Sequence, residues 1–158
     1  MKKIFLILSA CFFLNLTVFP QEIAPGTVPF AIKQAFTKKF PAAKALRYEK
    51  EDLIYKIGFL EGGKQCFASY NEAGKLLETE KAINPSTLPK EVAVSVTKNF
   101  KGYSIMEAVR REAFDKGICY ETDLMKDQSG FQVRFSEKGE ILLKVARKVE
   151  VKVITKPK

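Results

Sequence analysis

An internal repeat is the feature of this sequence that most constrains its fold, because self-similarity at a fixed spacing indicates duplicated structural units. One segment opens at Val28-Pro29 and its counterpart opens sixty positions later at Leu88-Pro89, and proline suits the first position of a helix. Apolar residues then follow at the spacing of one helical face. They are Ile32, Ala35, Phe36 and Phe40 in the first copy and Val92, Val96 and Phe100 in the second. Each copy is therefore predicted to begin with an amphipathic helix.

A strand-rich segment follows each predicted helix. Apolar and polar side chains alternate through residues 53–59, as in a half-buried strand. The glycine pair within Glu61–Lys64 predicts a hairpin turn, and Asn71–Lys75 predicts the next turn. The second copy repeats this pattern with a shift of sixty-five, so that Ser136–Glu140 stands where Asn71–Lys75 stood. Its five extra residues are expected to lengthen the first strand, around Ser104–Ala113.

The sequence therefore predicts an α+β fold of two tandem repeats, residues 27–83 and 88–153, each a helix plus a four-stranded antiparallel sheet, with the helices packed on one face. A unit of this size has a core worth only about 3–5 kcal/mol. We expect the copies to share a sheet or to pack together. The last strand supports such pairing, because its apolar residues recur on one of its two faces. The residues of that parity are Val145, Val149, Val151 and Val153.

The N-terminal segment has the pattern of a secretory signal. Two lysines precede the apolar run Ile4–Phe19, which is short for a membrane span and ends at a proline. We expect residues 1–20 to be a signal peptide and the remaining chain to be periplasmic or secreted, with no transmembrane segment. The alternative is a lipoprotein anchored through Cys11, since Leu8–Cys11 resembles the motif for lipid attachment.

The chain is basic, with a formal net charge of +9 that falls to +7 when residues 1–20 are removed. Such a charge permits electrostatic association with anionic surfaces by long-range steering. Nucleic acid is not an expected partner, because the lysines are spread along the sequence and do not cluster beside aromatic residues.

Catalytic chemistry is not indicated. The sequence contains no histidine, which removes the usual catalytic base near neutral pH and leaves too few ligands for a zinc site. Ser95 and Lys98 match an S-x-x-K pattern, but Ala35 occupies the place of Ser95 in the first copy and the accompanying motifs are missing. The acid pairs near Glu49 and near Glu78 are predicted to lie on an exposed sheet face. We therefore predict a protein that is not an enzyme and that has no metal and no cofactor.

The two cysteines beyond the predicted signal are expected to remain free thiols. Cys66 shares its parity with the inward-facing Tyr70, whereas Cys119 precedes the inward-facing Tyr120. The two side chains should then point to opposite faces of the sheet, which a disulfide cannot bridge.

The repeat resembles the PepSY-like periplasmic family of Bacteroidetes-type bacteria, whose fold is related to the beta-lactamase inhibitor protein. The residues that carry the resemblance are Val28-Pro29, Phe36, Phe40-Pro41 and Tyr70–Leu76 in the first copy, and Leu88-Pro89 and Phe135–Ile141 in the second. The resemblance implies helices on one face of an antiparallel sheet, the other face being available to a partner. It also implies protein binding, or inhibition of an envelope enzyme, and no catalytic residues. The second copy departs at Phe100-Lys101, where the first has Phe40-Pro41.

The face opposite the helices is the predicted partner surface. Interfaces favour aromatic, methionine and arginine side chains, which selects Phe67, Met125 and Arg134, with Lys56 beside them. The leading hypothesis is an exported module that binds an envelope protein or peptide, with an inhibitory or regulatory role. The alternative is a carrier or sensor of a small or lipidic ligand held between helix and sheet. A large apolar cavity would favour the carrier, and a packed core would favour the binding module.

Overall fold

Nine antiparallel strands form one sheet in chain order, so that each strand pairs with its neighbours in the sequence. The computed structural model describes residues 21–148. The strands are β1 (Gln21–Glu22), β2 (Ala45–Glu51), β3 (Ile54–Glu61), β4 (Lys64–Asn71), β5 (Leu76–Ile83), β6 (Ser104–Ala113), β7 (Gly117–Lys126), β8 (Ser129–Ser136) and β9 (Ile141–Lys148). The predicted signal peptide with Cys11, and the valines at 149, 151 and 153, lie outside the described residues.

Two ten-residue helices, α1 (Phe30–Lys39) and α2 (Lys90–Asn99), each follow a single turn of 3-10 helix. Pro29 and Pro89 lie one residue before the helices, where their extended backbone (φ near −52°, ψ of 140° and 145°) leads the chain into the first turn. The predicted α+β class is therefore confirmed. Neither described helix is long and apolar enough to cross a membrane.

Both helices lie on the same face of the sheet. Directly paired residues of antiparallel strands project to one side, and a single paired row runs across the sheet through both halves. Its members are Phe59, Cys66, Lys81, Arg110, Tyr120 and Phe135. Cys66 packs beneath α1 and Phe135 beneath α2. Pairing of β5 with β6 joins the halves into one sheet, as the small size of each unit led us to expect.

Each helix buries its apolar stripe over the strands of its own half. Ile32 and Phe36 of α1 pack on Ile57 and Ala68, and edge-to-face contact of Phe36 with Phe59 (centroids 5.2 Å apart) orders that core. The second core contains Val92, Val96 and Phe100 packed on Leu124, Val133 and Phe135. Burial of each such side chain contributes about 1.5–3 kcal/mol, so the two cores are separate sources of stability on a shared sheet.

The extra residues of the second half lengthen a whole hairpin. β6 has 10 residues where β2 has 7, and β7 has 10 where β3 has 8. The predicted lengthening of the first strand around Ser104–Ala113 is confirmed, and its antiparallel partner β7 is longer as well, which pairs the added backbone groups. The helix exits match despite the change from Pro41 to Lys101, since Phe40 and Phe100 share similar dihedral angles (φ −126° and −129°).

The turns after β4 and β8 press against the start of the helices. Gly74 has φ +79°, and a Cβ atom there would lie 2.8 Å from the carbonyl oxygen of Ala31. Gly139 has φ +78°, and a Cβ atom there would lie even closer to the carbonyl oxygen of Glu91. Glycine is required at both places because the left-handed backbone and the close approach each exclude a side chain. The matching Gly positions in the two predicted turns thus reflect a contact between turn and helix.

The cysteines lie on opposite faces, as predicted, and both are free. Cys66 is 3% exposed in the first core, whereas Cys119 is half buried on the other face, opposite Arg111. Burial raises the pKa of both thiols, which lowers the fraction of reactive thiolate.

Thiol titration checks this arrangement. The chain from Gln21 onward, denatured without a reductant, is expected to show two thiols per molecule. In the native state Cys119 should react faster than Cys66, because only Cys119 is partly accessible. A titre near zero would mean a disulfide and would contradict the strand assignment.

Candidate partner-binding face

The face of the sheet opposite α1 and α2, here called the open face, carries all four predicted partner residues. Lys56 pairs with Ser69 across β3 and β4, and Phe67 of β4 lies opposite Gly58. In the second half, Arg134 pairs with Glu121, and Met125 pairs with Gly130. The structure brings Lys56 and Phe67 into contact, with Nζ 4.5 Å from the ring centroid, and it places Arg134 and Met125 in the other half of the same face.

Arg111 is the centre of a network of ion pairs on the open face. Its guanidinium donates two hydrogen bonds to Glu78, at 2.7 and 2.8 Å, and contacts Glu80 at 3.1 Å and Glu121 at 3.3 Å. Lys56 Nζ lies 2.9 and 3.0 Å from the two oxygens of Glu80. Arg134 continues the network by donating to Glu121 at 2.8 Å. These six residues, Lys56, Glu78, Glu80, Arg111, Glu121 and Arg134, are called the central charged cluster below.

The pairing of the two halves creates this cluster. Glu80 of β5 lies directly opposite Arg111 of β6, where the two halves meet. Glu78 and Glu80 also pair with Ser69 and Phe67 on the other side of β5. Glu80 is only 9% exposed, although the described helices lie on the opposite face. The expectation of an exposed acid pair at Glu78 and Glu80 is therefore wrong, because neighbouring strands shield both carboxylates.

Arg111 is held in its charged form by its neighbours. Burial alone would lower the pKa of Arg111, but its hydrogen bonds to Glu78 and the charges of Glu80 and Glu121 raise that pKa above the ordinary arginine range. Charge-assisted hydrogen bonds such as those from Arg111 to Glu78 hold long side chains in fixed positions.

Asp123 lies farther along β7. Burial raises the pKa of its carboxyl, and the nearby Arg147, at 2.9 Å, opposes the rise.

Phe67 is an aromatic platform between two cations. Arg47 lies 4.8 Å from its ring centroid and Lys56 lies 4.5 Å away. The ring is half buried, so one part of it remains available to another molecule. Cation–π contacts of about 0.5–1 kcal/mol each fix the orientation of the ring.

The open face is acidic in a basic chain. Among strand residues paired on this face between positions 21 and 148, eight are acidic and five are basic. The acids are Glu22, Glu49, Glu51, Glu78, Glu80, Glu107, Glu121 and Asp123. The bases are Arg47, Lys56, Arg111, Arg134 and Arg147. The excess of positive charge among residues 21–148 thus lies outside this face.

Two small pockets indent the open face. One of about 220 Å³ is lined by Ser69 together with residues of the central charged cluster. A second of about 300 Å³ lies between Phe67 and Met106. Within residues 21–148, no group of three or more Cys, Asp or Glu side chains is arranged to hold a metal ion.

A larger depression lies on the helix side. It measures about 890 Å³ and is bordered by Phe40, Lys81, Arg110, Glu112 and Phe114. It is open to solvent and partly charged, whereas a carrier of an apolar ligand needs a mostly apolar enclosure. The space beneath each helix is filled by the two cores.

Arg111 is the main residue that the sequence pattern did not select. It lies in the lengthened hairpin, where it pairs with Cys119, and the equivalent place in the first half is held by Glu51, which pairs with Ile54. A signal that could have selected it is the alternation along β6, which places Arg111 on the face opposite the buried Ala108.

Comparison with solved structures identifies the fold. The protein superposes on one from Bacteroides eggerthii that is described as periplasmic, with a TM-score of 0.72 and 15% identity over 75% of this chain and 88% of that one. A BLIP-like protein from Bacteroides fragilis gives 0.65 and 19% identity over 78% and 89%. A DUF2874 family protein from Bacteroides ovatus gives 0.71 and 15% identity over 82% and 94%. The chain therefore has a BLIP-like fold.

At these identities the likeness shows the fold alone. The sequence matches no family model and none of the curated proteins.

Proposed function

We propose that this protein is an exported, non-enzymatic module that binds an envelope protein or peptide through its open face. Three lines of support combine. The N-terminal pattern favours export, solved proteins of the same fold are described as periplasmic or BLIP-like, and each half has a helix followed by four strands. On this proposal, residues 1–20 are the signal peptide, and residues 27–83 and 88–153 are two PepSY-like repeats.

The central charged cluster is the observation that carries the proposal. It places ordered charged side chains on a sheet face that no described helix covers. Because the network already fixes these side chains, a partner that lands on the face immobilises few additional rotamers, and each such rotamer otherwise costs about 0.5–1.5 kcal/mol. The cluster also presents an ordered pattern of both charges, which gives selectivity among partners.

Apolar side chains on either side of the central charged cluster give the open face the composition of a typical protein interface. Phe67 lies on one side, and Leu143, which pairs with Arg134, lies exposed on the other. Interfaces combine a few aromatic and arginine anchors with surrounding contacts that exclude water. Phe67 and Arg134 are the anchors in this proposal, and Lys56 and Met125 contribute to the surrounding contacts.

A ligand carrier is the less favoured function. Both cores are packed, and the 890 Å³ depression on the helix side is open and partly charged. These features favour a protein-binding module over a carrier of a small or lipidic molecule.

The test compares partner capture by matched variants. The chain from Gln21 onward, tagged at its C-terminus, is expected to capture a partner from envelope extract at high salt. Phe67→Ala should weaken that binding by roughly thirtyfold, because truncation of a hot-spot residue costs about 2 kcal/mol. Phe30→Ala on α1 is the control, since Phe30 is 77% exposed on the helix side. Affinity is measured with the purified partner, after circular dichroism shows that both variants are folded.

Equal affinity of the two variants for the partner would reject the open face as the binding surface. Capture that disappears at high salt for every variant would leave only the general positive charge of the chain, and the proposal would fail.

A further inference from the structure

The 220 Å³ pocket on the open face, here called the Ser69 pocket, has a composition suited to one class of group. It lies over β2 to β5 and is reached from the open face. Four carboxylates line it, those of Glu49, Glu51, Glu78 and Glu80, whereas its cations are Lys56 and Arg111.

The two cations of the pocket are already occupied. Lys56 donates to both oxygens of Glu80, and Arg111 is held by Glu78 and Glu80. An incoming anion would find no free positive group and would meet four carboxylates. Glu51 has no ion pair among the described residues, so the lining has an excess of negative charge.

Ser69 supplies an independent sign of an unfilled site. It is 9% exposed, it projects to the open face between Lys56 and Glu78, and it lines the pocket. Its hydroxyl makes no hydrogen bond to another described residue and is open to the pocket. A donor that enters the pocket would give this hydroxyl a partner.

We propose that the Ser69 pocket receives a lysine or arginine side chain of the bound partner. This inference rests on the proposed function and adds the chemistry of the partner: a segment that carries a cation at the point of contact. The cation replaces its hydration by Ser69 Oγ and by the carboxylates of Glu51 and Glu78. The surrounding acidic face steers such a segment toward the pocket.

Peptide titration tests the pocket without the natural partner. Three capped tripeptides, Gly-X-Gly with X as lysine, norleucine or glutamate, are added to the isotopically labelled chain from Gln21 onward, and amide shifts are followed by NMR. The lysine peptide is expected to shift the amide signals of Ser69 and Glu78 and to bind at least about tenfold more tightly than the norleucine peptide, since hydrogen bonds to charged groups are strong. Glu51→Gln should weaken lysine binding by about threefold. Glu137→Gln, the same charge change on an exposed turn, should leave lysine binding unchanged.

The inference is overturned by equal shifts from lysine and norleucine, by tighter binding of the glutamate peptide, or by equal effects of Glu51→Gln and Glu137→Gln. Phe67 does not line the pocket. If Phe67→Ala abolished partner binding but the tripeptides showed no preference for lysine, the proposed function would stand and the cation pocket would be rejected.

Discussion

Arg111→Met is expected to destabilise the folded protein by about 3–5 kcal/mol at neutral pH, because removal of one member of a buried ion network leaves its partners uncompensated. Arg111 is 15% exposed and contacts Glu78, Glu80 and Glu121 within 3.3 Å. Methionine fills similar space but cannot neutralise three neighbouring carboxylates. The loss is read as the change in the free energy of unfolding by urea.

Arg110→Met is the matched control. Arg110 adjoins Arg111 in β6 but projects to the helix side, where it pairs with the exposed Glu112 at 2.8 Å. A surface pair of this kind contributes up to about 1 kcal/mol. Similar losses for the two variants would contradict the central role of the cluster.

The repeating part of the fold could be predicted from sequence because its signals are local. Helical spacing located both helices, and alternation with glycine turns located the hairpins around Glu61–Lys64 and Asn71–Lys75. The face of each cysteine followed from the same parity. Each of these features depends on residues within about ten positions of one another, which is the range over which periodicity can be read.

The candidate site could not be predicted as fully, because it depends on register between the halves. The chain shows Glu78 and Glu80 at one parity and Arg111 some thirty positions later, but only the pairing of β5 with β6 places them together. Without that pairing, alternating acids indicate an exposed strand. That Lys56 and Phe67 share a face could be predicted, because both lie in the single hairpin of β3 and β4.

The turns that follow β4 and β8 occupy equivalent places in the two halves of the sheet and contact the helices in the same way. Asn71–Lys75 and Ser136–Glu140 each carry glycine at the fourth position, with φ of +79° and +78°. Both glycines face the first turn of a helix across a gap too narrow for a methyl group. Each turn therefore makes a docking contact with the helix that lies above it on the sheet.

Gly139→Ala is expected to destabilise the protein by about 3 kcal/mol, as the sum of two costs. A left-handed backbone costs an alanine roughly 1–2 kcal/mol. The new methyl group would also collide with the Glu91 carbonyl and lie 3.3 Å from Ser95 Cβ, and overpacking of this kind costs about 1–3 kcal/mol. The carbonyl belongs to the backbone of α2, so the clash is relieved only if the helix moves. Urea denaturation measures the loss.

Gly117→Ala separates the two costs. Gly117 has nearly the same dihedral angle, φ +75°, but no atom would lie within 4 Å of an added Cβ. The Gly117→Ala variant should therefore lose only the cost of a left-handed backbone, about 1–2 kcal/mol. The difference between the two variants then measures the contact between turn and helix. If Gly117→Ala and Gly139→Ala lowered the free energy of unfolding equally, glycine would be required at the turns only for its left-handed backbone. The packing of Val92 and Val96 would then hold α2 in place without the turn.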